Sequence, residues 1–151
     1  HNLFDRTGWL ASLHAKSQQT YPEPLQVAII EKNYPVLRDI IPAYLNQIEK
    51  AVQRSDLVSI NHRLAAFLAS YFDIIYALNK VLHPGEKRLL KLTPKLCPVH
   101  PSEMVSDLET IIRLSAAPDP ALVKALHHLI DQLDLLLEAY PDLVQTVFQN
   151  K

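Results

Sequence analysis

From Leu57 to Val81 the chain places apolar side chains at Leu57, Ile60, Leu64, Phe67, Tyr71, Ile74, Leu78 and Val81, always three or four positions apart. That spacing is the period of one helical face, and it predicts a long α-helix capped by Ser55 or Asp56. Further apolar side chains at Leu68, Phe72 and Ile75 widen the stripe, so this helix is expected to be buried on more than one side and to serve as the spine of the fold. Leu64, Phe67, Tyr71, Ile74 and Leu78 are its expected core residues. His83-Pro84-Gly85 is expected to stop it, because proline cannot continue the ladder and glycine supplies turn geometry. No segment alternates with the two-residue period of a strand. The expected fold class is therefore all-α, an antiparallel bundle of four to five main helices with a short N-terminal arm.

Residues 1–21 carry a turn signal at Asp5 to Gly8, then polar residues, and read as the arm; residues 22–151 read as a single bundle domain. A short stripe at Leu25, Ala28, Ile29 and Ile30 is expected to end near Asn33-Tyr34-Pro35. A second helix is expected over about 35–54, through Leu37, Ile41, Tyr44, Leu45, Ile48 and Val52, with Pro42 forcing a kink or restart near Ile41. After the spine, a short basic helix is expected over 86–92, and the Pro94, Pro98 and Pro101 stretch reads as irregular. Ser102 is the expected cap of a helix with Val105, Leu108, Ile111 and Ile112 on one face, ending at Ala116-Ala117-Pro118. Asp119-Pro120 then opens a last helix, an acidic cap followed by proline at the first helical position. Its stripe is Leu122, Leu126, Leu129, Leu133, Leu136 and Tyr140, up to Pro141.

The 151 residues are 48% hydrophobic and 21% charged, the composition of a globular protein. A chain of that length can bury about two-thirds of its unfolded surface. A net charge of -1 gives no global attraction to nucleic acid or acidic membranes, so electrostatic recognition has to come from a local patch. Gly8 and Gly85 are the only glycines, which excludes a phosphate loop or dinucleotide fingerprint built from this chain. The single cysteine, Cys97, excludes an internal disulfide and reads as a packed thiol in a reducing, cytoplasmic compartment. The sequence has no signal-peptide pattern, and its longest apolar stretch is broken by Asn61, His62, Arg63 and Asp73, so a soluble protein with no membrane partner is expected. Because the chain begins with His1 and its one methionine is Met104, it is expected to be a piece of a longer protein.

His127 and Asp131, with His128 and Asp134 nearby, have a spacing that can bring metal ligands onto one helix face, but no second cluster completes a site, and a solvated face is the expectation. Helical nucleases of the higher-eukaryote and prokaryote nucleotide-binding class carry an arginine followed four to six residues later by a histidine. Here Arg54 and His62, like Arg6 and His14, are too far apart for that pattern. No catalytic residue is expected in the chain.

The informative stretch runs from Tyr76 to Leu90. It ends the spine with Ala77-Leu78-Asn79, reverses at His83-Pro84-Gly85, and presents cations at Lys80, Lys87, Arg88, Lys91 and Lys95. Lysine acts on phosphate as a point charge, while arginine can grip two oxygens. The pattern Ala-Leu-Asn followed by Pro84-Gly85-Glu86-Lys87-Arg88 resembles the helical domain of unknown function found C-terminal to bacterial nucleotidyltransferase domains of the polymerase-beta and antibiotic-modifying type. Leu3-Phe4-Asp5-Arg6-Thr7-Gly8 is similar to the junction where the catalytic sheet of such proteins hands over to helices. Tyr21-Pro22, Tyr44 with Gln47, and Ala51 to Asp56 look like further family positions. The resemblance covers most of the chain up to Leu92, and Leu82 departs from it where an aromatic often stands.

The resemblance implies that the catalytic Gly-Ser and paired-aspartate motifs, which hold two metal ions for phosphoryl transfer, belong to a preceding domain. This chain has no Gly-Ser pair and no Asp-x-Asp. It implies no cofactor in this chain, magnesium and a nucleoside triphosphate for the parent protein, and a nucleotide or small-molecule acceptor as ligand. Asn79, Lys87 and Arg88 are the implied nucleotide-binding residues, expected to share one concave surface, with Lys87 and Arg88 in the first turn of the helix after Gly85. The other reading is a non-catalytic interaction or dimerisation bundle, a homo-oligomer among the options, that uses the stripe of the last helix.

Overall fold

The computed structural model describes residues 7–17 and 20–148. Among them are eight helices and no strand: α1 Trp9–Ser17, α2 Glu23–Leu37, α3 Tyr44–Gln53, α4 Leu57–Leu78, α5 Leu89–Leu96, α6 Met104–Leu114, α7 Pro120–Glu138 and α8 Pro141–Phe148. The fold is an all-α bundle. No helix among the described residues is long and apolar enough to cross a membrane.

α4 is the spine. Asp56 caps it, one carboxylate oxygen accepting from the Ser59 amide at 3.1 Å and the other from the Ser59 hydroxyl at 2.6 Å. Leu64, Phe67, Tyr71, Ile74 and Leu78 are all buried, and so are Phe72 and Ile75 on the widened stripe. α2 and α3 pack against it, α7 packs on α3, α6 on α7, and α8 on α2 and α7. Buried Gln26, near the start of α2, donates to the carbonyls of Ala77 and Leu78 at 3.0 and 3.2 Å, so α2 runs antiparallel to α4. At the other end of α2, Arg38 bridges Asp131 and Asp134 of α7, and the Tyr34 hydroxyl donates to Asp134 at 2.7 Å.

The spine stops five residues before His83. Lys80 takes the left-handed backbone conformation with φ 54°, and the amides of Lys80 and Val81 turn back to the carbonyls of Ala77 and Tyr76 at 2.9 and 3.0 Å. The same closure ends α3, where Ser55 has φ 55° and the amides of Ser55 and Asp56 reach Val52 and Ala51. This arrangement satisfies carbonyls that a helix end leaves unpaired, and it usually uses glycine. Here a lysine and a serine do it; α3 ends where expected, next to Arg54, while the stop at Lys80 comes ahead of the expected His83-Pro84-Gly85.

Prolines also bend the expectations elsewhere. α2 runs through Pro35 to Leu37, because a proline in the last turn forfeits a single ladder bond and its carbonyl still accepts from Asp39 and Ile40. At Pro42 the chain does not kink but leaves the helix altogether, with Ile41 93% exposed and α3 restarting at Tyr44. α5 contains Pro94 and extends to Leu96, against the expected irregular stretch; packing of buried Thr93, whose hydroxyl lies 3.0 Å from the Tyr76 hydroxyl, outweighs the lost bond. Ser102 is not the cap of α6. Glu103 stands there with no side-chain bond to the helix's backbone amides, and wholly buried Met104 begins the helix. Asp119 does cap α7, accepting from the Ala121 amide at 2.7 Å. The expected N-terminal arm contains α1, with no buried residue, while residues 1–6 with Asp5 of the turn signal lie outside the described residues.

Candidate functional site

The end of α4 positions the turn singled out by the sequence. The Tyr76 ring lies 4.9 Å from that of His83, and His83 Nδ1 accepts from the amide of Gly85, whose φ of 91° suits glycine. Asn79 follows the last residue of the spine. Its Nδ2 donates to the carbonyls of Ile75 and Val99 at 2.8 and 2.7 Å, and its Oδ1 accepts from the Val99 amide at 2.9 Å. Both amide hydrogens are thus spent on backbone. Asn79 pins the segment after α5 against the end of the spine and has no donor left for a phosphate.

Lys87 and Arg88 stand in solvent. They precede α5 instead of lying in its first turn: Arg88 is the N-cap residue, with φ 62°, and no side chain caps the helix. The Arg88 carbonyl accepts from the amides of Lys91 and Leu92. The three residues therefore divide into one internal clamp and two exposed cations on a built turn. Of the other cations, Lys80 meets Glu23 at 3.1 Å in an exposed pair worth about 0–1 kcal/mol.

Beside this turn lies a groove of about 780 Å³ that the sequence did not reveal. α1 forms one wall with Leu13, Lys16 and Ser17, and Tyr21, Leu25, Lys80, Leu82 and Leu96 are among the residues facing it. Burial, and then the charge of Asp73, raise the Tyr21 phenol above its ordinary value. The sequence signal for α1 was Trp9, Leu10 and Leu13, of which Leu13 lines the groove; they share a helical face but sit in a stretch read as an arm.

The remaining sequence candidates are structural. Asp131 and Asp134 face Arg38, and among the described residues no group of three or more His, Cys, Asp and Glu could hold a metal ion. Leu122, Leu126, Leu129 and Leu133 are wholly buried in the chain's own core, so the stripe of the last long helix is not free for a partner. Cys97 is buried, and burial pushes its thiol up to about 11. Tyr71 is buried beside Asp107, and burial first, then that carboxylate, hold its phenol far above the ordinary range.

Set against protein-family models, curated proteins and solved structures, the chain matches none.

Proposed function

We propose that this chain is the accessory, substrate-side helical domain of a nucleotidyltransferase-like protein, acting beside a separate catalytic domain. The observation that carries the reading is the turn after the spine. The Lys80 closure, the His83–Gly85 bond and the Asn79 clamp hold it from behind, and Lys87 and Arg88 project from it next to the uncapped start of α5. Two cations beside free backbone donors suit the phosphates of a nucleotide. In this reading Asn79 acts by positioning, and Lys87 and Arg88 make the contact. The magnesium implied by the resemblance is held, in this reading, by the separate catalytic domain.

The pure chain incubated with magnesium and labelled nucleoside triphosphates is expected to give no labelled product. The sequence encoded upstream is expected to contain the Gly-Ser and paired-aspartate motifs. In the longer protein, Lys87→Ala with Arg88→Ala should raise KM for nucleotide while changing kcat little. Turnover by the chain alone, or an upstream region lacking those motifs, overturns the reading. A non-catalytic interaction domain is the second reading, favoured by the exposed apolar face of α1.

A further inference from the structure

None of the nine residues of α1 is buried. Trp9, Leu10 and Leu13 are 63%, 37% and 43% exposed, and their spacing gathers them on one side of the helix. A helix this short does not hold itself in water, so its apolar side calls for a cover. Its charge is one-sided as well: it carries His14 and Lys16 in the last turn and no acidic residue.

A second groove, of about 590 Å³, lies between α2 and α8. Val27, Ala28 and Leu143 give it an apolar floor, and its described lining carries three carboxylates, Glu23, Glu31 and Asp142, of which Glu23 also pairs with Lys80. Glu23 and Glu31 are eight residues apart on one helix, about 12 Å, and the nine residues of α1 span about 13 Å. Length, apolarity and charge of the groove therefore complement α1. The groove that α1 borders in its own chain offers Lys16 no carboxylate among its described lining residues, and the one charged residue it sets opposite α1 is Lys80.

We infer that α1 of one copy docks into the α2/α8 groove of a second copy. A reciprocal exchange matches both helices with both grooves and closes a two-fold dimer, whereas a one-way contact would propagate into a filament. Glu31 is the main carboxylate for Lys16, since Glu23 also faces Lys80 at 3.1 Å. The inference stands apart from the nucleotidyltransferase reading, which needs no dimer.

Trp9 is the only tryptophan, so its emission reports on α1 alone. Sedimentation velocity over a wide concentration range is expected to show monomer converting to dimer, with Trp9 emission moving to the blue in step. Leu13→Ala should weaken the dimer roughly tenfold. Lys16→Glu and Glu31→Lys should each weaken it, and the double exchange should recover part of the loss. All of these side chains are exposed, and unchanged far-UV circular dichroism checks that the variants fold. A strict monomer, a dimer indifferent to both charge reversals, or blue-shifted Trp9 in a monomer, where α1 has closed on its own chain, each overturns the proposal.

Discussion

α4 and α1 are both rich in apolar residues, and the bundle treats them in opposite ways. Eleven of the 22 residues of α4 are buried, with α2 and α3 packed along it, while α1 leaves its tryptophan and both its leucines in solvent. The difference shows where stability resides. Full burial of a Leu, Ile or Phe side chain contributes about 1.5–3 kcal/mol, so α4 is held by its neighbours far more than by helix propensity. α1 draws nothing comparable from its own chain. It is surface, available for recognition, while α4 is scaffold.

The sharpest way to break this contrast is Phe67→Ala. With Phe67 wholly buried, the substitution should cost about 3–5 kcal/mol in denaturant unfolding, and a loss below about 1 kcal/mol would place α4 outside the core. Next comes Asn79→Ala, which strands the amide and carbonyl of Val99; a loss of about 1–3 kcal/mol is expected, with little change in helix content. A smaller effect lies in acid. The hydroxyl and amide of Ser59 hold the Asp56 carboxyl below its ordinary value of 3.8. A depressed folded value means that Asp56 lends its full stability above the ordinary carboxylate range and loses it as pH falls through the folded value. Asp56→Asn keeps a cap and should remove that part of the acid dependence, as pH-resolved unfolding would show. The smallest effect is expected at Trp9→Ala, within about 0.5 kcal/mol for the monomer, because the side chain it removes is not packed.

The spine and the start of α7 were legible because each writes its rule locally: a stripe of period three or four, and an acidic cap before a residue that opens a helix. What the sequence hid depends on distant partners. Pro94 is helical because Thr93 is buried against Tyr76, seventeen positions earlier. Asn79 read as a contact at a cleft, yet its amide is taken by Val99, twenty residues on, through a hydrogen bond that no periodicity announces. The helix stop at Lys80 escaped because an ordinary side chain occupies a conformation in which glycine is the usual sign. The basic turn was legible as a run of charge. Its exact placement ahead of α5, with Arg88 as the N-cap residue, was not.

The buried Cys97 turns the Asn79 clamp into a clock. With its thiol wholly shielded and pushed up to about 11, the side chain is both out of reach of a thiol reagent and nearly always protonated at neutral pH. Labelling then waits for the segment between α5 and α6 to lift from the end of the spine. In the regime where reclosing outruns labelling, its rate measures how often that happens. One native atom thus reads out local opening at the back of the basic turn, without any probe added to the surface that would meet a ligand.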